Sequence, residues 1–356
     1  VATVQRSVGE GFRDHDKRIE YFIKHDAVQN FGDYLPELFS KELFLHPRVD
    51  ADIYRLVGSV IDEKWVRHDL GRFNGFVTGQ IAFWCCGARG SAGLSNETKQ
   101  HCLFFGVRGP ETREALKLPA DTVMGDPGLL APLLHTPNYC YETAGKSVCF
   151  AHVHDAKAPE DVLGMSGADI LLSPVIDSSE AALRSLLDKI ASADFVLTAS
   201  LHAAIIACAY GRPFAFWDNG HVDIPFKWRD FAGSVGIPSV FVKDLSEGRE
   251  VYERQIKPRL KLPPFAPILD VCPFLVRPSY MLKALVADGQ IDPTLAEPAI
   301  RLLERQKAYQ HDEIYRLQDQ SAIARAERAR PSTYFLGGAG LFARRIKNKV
   351  RAALGL

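Results

Sequence analysis

Residues 193–217, ADFVLTASLHAAIIACAYGRPFAFW, narrow most sharply what this chain can fold into. Residues 194–199 are apolar without alternation, as in a strand covered on both faces. Residues 201–210 then read as a helix that is apolar nearly all round, Gly211 as its C′ residue, and 213–217 as a second strand. Strand, buried helix and strand in so short a space make a crossover unit of a parallel sheet. The polar interruption, Ser200-Leu201-His202, falls at the junction where the chain leaves the sheet, so His202 stands at the mouth of a buried segment.

The same grammar recurs along the 356 residues. RIEYFIKHD (18–26) reads as a strand, AVQNFGD as a loop, and YLPELFSKELF as a helix with Asp33 as N-cap and Pro36 in its first turn. DIYRLVGSVI and GQIAFWCCG are further apolar runs. HCLFFGVRGPETREALKL gives a strand to Val107, a turn at Arg108-Gly109-Pro110 and a short helix; DTVMGDPGLLAPLL repeats the pattern, with Asp126 as a turn starter. After the turn-rich HTPNYCYETAG, KSVCFAHVHD reads as a strand ending in histidines, ADILLSPV as a strand, EAALRSLLDKIASA as a helix and IPSVFVKDL as a last strand. The chain therefore divides into a doubly wound N-terminal domain (1–145), a second such domain (146–272), a helical extension (273–330) and a basic amphipathic tail (331–356).

Composition excludes several classes. Lys plus Arg and Asp plus Glu each number 43, so no excess of positive charge points to nucleic acid. The seven cysteines are odd in number, contain no CxxC pair and fall mostly in apolar runs. They imply neither a zinc site nor a disulfide framework, but buried thiols in a reducing compartment. No apolar run approaches the length of a membrane span, and a cytoplasmic location is expected.

Open parallel sheets bind ligands at the carboxyl ends of their strands, where loops meet helix N-termini. Asp33, Arg108, Asp126, His152, His154, Ser200 and His202 all follow expected strands, and two facing domains would gather them at one cleft. Each has a plainer reading: Asp33 as a cap, Arg108 on loop carbonyls, Asp126 as a turn residue, His202 as a capping or core histidine. His152 and His154, two apart, would share one face of a continuing strand, without a third ligand for a metal. Cys85-Cys86 has no base nearby and reads as packing. The glycine-rich turn after it fits neither the P-loop nor GxGxxG.

Five segments taken in order resemble the polysaccharide pyruvyltransferase family, in its exopolysaccharide branch. They are QNFGDYLPELFSKEL (29–43), FFGVRGPETREAL, MGDPGLL, ADFVLTASLHAAIIACAYGRPFAFW and FKWRDFAGSVGIP (226–238). The resemblance implies a GT-B-like architecture, two Rossmann-like domains around a cleft. It departs at Ser200, where many members carry Arg, and at FWCCGARG, where the usual loop is Trp-Gly-Ser-Gly-like.

The implied reaction moves the pyruvyl group of phosphoenolpyruvate onto two hydroxyls of one sugar as a cyclic ketal, with release of phosphate. Phosphoenolpyruvate is a co-substrate, and no cofactor or metal is implied. Such a donor needs cations and backbone N–H groups, for which Arg108, Lys227, Ser200 and Arg89 are the candidates. His202 is expected to protonate the enol carbon and Asp33 to take a proton from the attacking hydroxyl, with His152 or His154 as the alternative base. Asn30, His152, His154 and Trp228 are the expected acceptor contacts, Trp228 by stacking on the sugar. The acceptor is expected to be a polysaccharide or lipid-linked oligosaccharide. The tail fits that reading: Phe342, Ile346, Val350 and Leu354 recur at helical spacing among basic residues, so 341–356 are expected to touch the membrane surface. The rivals are a sugar-nucleotide glycosyltransferase on the same scaffold, for which no ribose-gripping carboxylate follows 194–210, and a non-catalytic glycan-binding member.

Overall fold

Eight short strands come first along the chain: β1 (Arg18–Ile19), β2 (Val28–Asn30), β3 (Phe44–Pro47), β4 (Ile53–Arg55), β5 (Ser59–Ile61), β6 (Ile81–Trp84), β7 (Gly87–Ala88) and β8 (Cys102–Phe105). Then follow β9 (Ser147–Phe150), β10 (Ile170–Leu172), β11 (Val175–Asp177), β12 (Phe195–Thr198), β13 (Phe214–Trp217), β14 (Phe241–Val242) and β15 (Phe274–Val276). The computed structural model describes residues 18–21, 27–72 and 78–309. Within them, β1-β4-β6-β8 form a four-stranded sheet and β10-β9-β12-β13-β14 a five-stranded one, all parallel. Every residue of β6, β9, β12 and β13 is buried, as expected of strands covered on both faces.

The helices are α1 (Phe31–Glu42), α2 (Glu63–Arg72), α3 (Asn96–Lys99), α4 (Pro110–Ala115), α5 (Ala131–Leu134) and α6 (Pro159–Ser166), then α7 (Glu180–Ser192), α8 (Leu201–Ala209), α9 (Pro225–Ser234), α10 (Leu245–Val251), α11 (Phe265–Asp270) and α12 (Pro278–Ala287). Leu201, Cys208 and the five residues Ala203–Ala207 are buried, so α8 is a central helix and its N-terminus is the point of interest. Residues 1–296 form one compact unit that contains both sheets. The chain is helical again from 293 to 309. The rest of the expected helical extension, 310–330, and the basic tail lie outside the described residues. Among the described residues no helix is long and apolar enough to cross a membrane.

Three local expectations are corrected. The first helix starts at Phe31, with Asn30 as its N-cap: the Asn30 side chain accepts from Gly32 N at 3.1 Å, which puts Asp33 in the first turn and Pro36 inside the helix. The cause is tertiary. β2 pairs antiparallel with β11, Asn30 opposite Val175, and Phe31 N donates to Pro174 O at 2.9 Å, so the chain passes straight from ribbon to helix. Second, the strand expected to carry His152 and His154 ends at Phe150; Asp155 N donates to His152 O at 2.8 Å and turns the chain into a loop. Third, the apolar triplet Phe274-Leu275-Val276 forms a strand against β3 before the helices of that region begin.

Candidate active site

The N-terminus of α8 lies at the carboxyl end of β12 and has no side-chain cap. Ser200 is the N-cap in extended conformation, yet its side chain makes no cap bond, and the first turn carries no acidic residue. Thr198 fixes the approach instead, accepting from Ser200 N at 2.8 Å and donating to Ser200 O at 2.9 Å. The first N–H groups of α8 are thus left as anion-binding donors at the positive end of the helix dipole.

His202, in that first turn, packs against α1. A Cβ on Gly32 would lie 2.0 Å from His202 Nδ1, so the ring occupies space that only glycine leaves free. Phe31 meets the imidazole edge-on, with centroids 6.4 Å apart. Burial, with the Lys227 and Arg108 charges added, pushes the imidazole pKa down to about 3. His202 is therefore neutral at physiological pH. Asp33 is one residue beyond Gly32, with Oδ1 3.8 Å from where a Gly58 Cβ would stand. Burial raises its carboxyl pKa to about 7 against the pull of Lys227 and Arg55. Asp33 thus shares its proton near neutrality, where an ordinary aspartate has lost it.

Arg108 is 1% exposed and spends most of its donors within the protein. Nε donates to Asp230 Oδ2 at 3.1 Å and Nη1 to Ser59 Oγ at 2.8 Å, while Nη2 has no partner among the described residues. Asp230 also accepts from Thr112 N at 2.8 Å and Thr112 Oγ1 at 2.6 Å, and Thr112 Oγ1 in turn accepts from Ala88 N. The Arg-Gly-Pro-Glu-Thr block and the Lys-Trp-Arg-Asp block are two sides of this one knot. Gly109 belongs to it as well: a Cβ there would stand 1.9 Å from Asp230 O. Close by, the buried Asp126 caps the turn after it by accepting from Gly128 N at 2.9 Å; burial lifts its carboxyl to about 6, and Arg108 opposes the rise. Arg89 donates to Ser59 O at 3.4 Å and is near enough for its charge to act on Lys227.

Lys227, on α9, bonds Asp223, and its charge is felt at both His202 and Asp33. The Asp223 carboxylate also lies 3.4 Å from His152 Nε2. His154 is exposed; its ring centroid is 5.3 Å from that of His152, and His221 stands on another side at 5.5 Å. Trp228 does not offer a stacking face. It is 1% exposed, packed against Phe216 and Phe241, and its Nε1 donates to Asp223 O at 3.1 Å. A core position thus replaces the sugar contact expected of Trp228, and Asn30 serves as a helix cap.

Lys227 is therefore within electrostatic reach of His202, Asp33, Arg108 and Arg89, and Arg108 of His202 in the first turn of α8. Ser59, Asp223, Asp230 and Gly32 are the site residues that sequence reasoning missed. Asp230 had a signal as the last residue of the Lys-Trp-x-Asp block, and Gly32 as the glycine of QNFGDYL. The seven cysteines are free thiols, and burial pushes those of Cys85 and Cys86 above the ordinary range, away from reactivity. A cavity of about 580 Å³ between Arg48, Phe105, Leu118, Asp121 and Cys272 includes none of the gathered residues. Among the described residues, no three His, Cys, Asp or Glu side chains are grouped to hold a metal ion.

Parallel sheets with alternating helices define an α/β protein, and the uncapped N-terminus of α8 lies at the carboxyl edge of one sheet. Residues 80–221 match the family model described as polysaccharide pyruvyl transferase, a family of transferase enzymes. The family implies pyruvyl transfer to polysaccharide sugars. The matched segment includes Arg89, Arg108, His152, His154, Ser200 and His202; Asn30, Asp33, Lys227 and Trp228 lie outside it. No curated protein and no solved structure matches the chain.

Proposed function

We propose that this protein transfers the pyruvyl group of phosphoenolpyruvate to two hydroxyls of one sugar in a bacterial exopolysaccharide or its lipid-linked precursor, forming a cyclic ketal and releasing phosphate. The observation that carries this reading is the place of Lys227, within electrostatic reach of His202, Asp33, Arg108 and Arg89, beside the uncapped α8 N-terminus that bears His202. The donor's phosphate and carboxylate are the anions such a site suits. On this reading the two sheets correspond to a GT-B-like pair of Rossmann-like halves, with residues 1–145 on the acceptor side and 146–272 on the donor side.

The protonation states favour roles opposite to those expected from sequence. Asp33, which holds its proton up to about pH 7, donates it to the methylene carbon of the donor. The neutral His202 takes the proton of the first sugar hydroxyl as its oxygen bonds to C2. The imidazolium so formed gives that proton to the phosphate oxygen as the C2–O bond breaks. Asp33, now a carboxylate, takes the proton of the second hydroxyl as the ketal closes. Both side chains end as they began, and the two hydroxyl protons finish on the new methyl group and on phosphate.

The test is incubation with phosphoenolpyruvate and lipid-linked oligosaccharides, read by mass spectrometry for the added ketal and by phosphate release. The expected outcome is a ketal product whose formation slows above about pH 7, as Asp33 ionises. Thermal stabilisation by sugar nucleotides but not by phosphoenolpyruvate would instead favour the glycosyltransferase reading. Residues 341–356, outside the described residues, are proposed to bring the enzyme to the inner membrane face; flotation with anionic vesicles, against a chain ending at Arg330, tests that contact.

A further inference from the structure

The loops that leave β9 and β13 meet across the end of β12, the strand between them, directly before Ser200–His202. Asn219 Nδ2 bonds the Asp155 carboxylate, and the His152 and His221 rings are in edge contact. Asp223 sits at the crossing. Its Oδ2 accepts from Lys227 Nζ and lies 3.4 Å from His152 Nε2. His152 Nδ1 accepts from His154 N at 3.3 Å, so the ring proton of neutral His152 is on Nε2, facing Asp223. The backbone is held as firmly: Trp228 Nε1 donates to Asp223 O, and Ile224 adopts φ 48° and ψ 77°, left-handed backbone that a β-branched residue seldom takes. Strain of this kind persists where the surroundings over-determine a position.

We propose that Asp223 is a positioning residue for the donor: through one carboxylate oxygen it fixes Lys227 within reach of His202 in the first turn of α8, and ties the His152 loop to the same point. This rests on the phosphoenolpyruvate reading above. The charged and titratable groups that face Lys227 and its surroundings include Asp223, His152, Arg108, Arg89, His202 and Asp33. Burial, Arg108 and Arg89 favour loss of the Lys227 proton, and Asp223 opposes them. Bonds from His152 and Lys227 hold the Asp223 carboxyl well below the usual range, so it stays ionised across the working pH.

Calorimetric titration of phosphoenolpyruvate into the full chain from pH 7 to 10 tests the assignment, with wild type, Asp223→Asn and Asp223→Glu compared. The expected result is about ten-fold weaker binding in D223N at pH 7, the loss of a charge-assisted contact. Its affinity should also fall off at lower pH than that of wild type, because Lys227 loses its counter-ion, and D223E should restore much of both. D223N that binds equally or more tightly with an unchanged pH profile would overturn the proposal and make Asp223 a mere competitor of the donor. Wild type that binds no phosphoenolpyruvate would overturn the donor reading itself. Asp223 has 29% side-chain exposure, so D223N is expected to fold, and D223E keeps the test open if it does not.

Discussion

Burial moves the proton affinities of Asp33 and His202 past each other, the carboxyl up from 3.8 to about 7 and the imidazole down from 6.5 to about 3. The two shifts act oppositely on stability. Between about pH 4 and 7 the folded Asp33 keeps a proton that the unfolded chain has released, so stability falls as pH rises. Between about pH 3 and 6.5 the unfolded chain holds a His202 proton that the folded one refuses, so stability falls as pH drops. The slopes cancel where they overlap. Asp33→Asn should therefore leave stability climbing from pH 4 to 6.5, and His202→Asn should leave it declining, each by up to about 1.4 kcal/mol per pH unit in urea titrations. Flat profiles in both variants would contradict the inverted pair. Gly32→Ala isolates the contact between these residues. Helix propensity alone favours alanine by about 1 kcal/mol, yet its methyl would stand 2.0 Å from Nδ1. Phosphate release should drop about 100-fold with the helical circular dichroism unchanged. The importance of His202 was legible in its place at a strand–helix junction. The inversion was not, because it depends on the burial of both side chains where segments distant in sequence pack together.

Among the elements, α4 and α9 show why two motifs more than a hundred residues apart belong together. Arg108 just ahead of α4, Thr112 within it and Asp230 of α9 close a buried hydrogen-bonded knot, and Pro110 packs where a Gly233 side chain would be, 2.6 Å from its Cβ. Asp230→Ala leaves the Arg108 guanidinium buried without its counter-ion. The expected cost is about 3–5 kcal/mol in chemical denaturation, against about 1–3 kcal/mol for Thr112→Val. Equal small losses would mean that water replaces the carboxylate. The apolar strands and the 201–209 helix could be read directly from sequence, because their runs are unbroken and end in turn residues. The burial of Arg108 against a carboxylate was not legible, because that partner, Asp230, lies on α9 and no local pattern reveals such pairing. The start of α1 was misplaced for a like reason, since the β2–β11 ribbon, rather than the residues near Asp33, decides where the helix begins.

For the molecule as a whole, the two parallel sheets share one compact unit. α1, from the first half of the chain, packs on α7 and α8 from the second, and β15 returns to pair with β3. Calorimetry should accordingly show one unfolding transition, with calorimetric and van't Hoff enthalpies equal; two resolved transitions would mean that the halves fold independently. The alternation of strands and helices was legible at this scale. The interlocking was not, since it is made by pairs three residues long with no signature of their own. The smallest of these carries a consequence for evolution as well as chemistry. In the ribbon, Val28, Gln29 and Asn30 face Asp177, Ile176 and Val175, and that ladder sets the depth to which Gly32 reaches the imidazole. It acts as a vernier: a slip of one rung would bring Phe31 or Asp33 to the ring, so changes in these six residues can retune the reaction without touching any group that performs it.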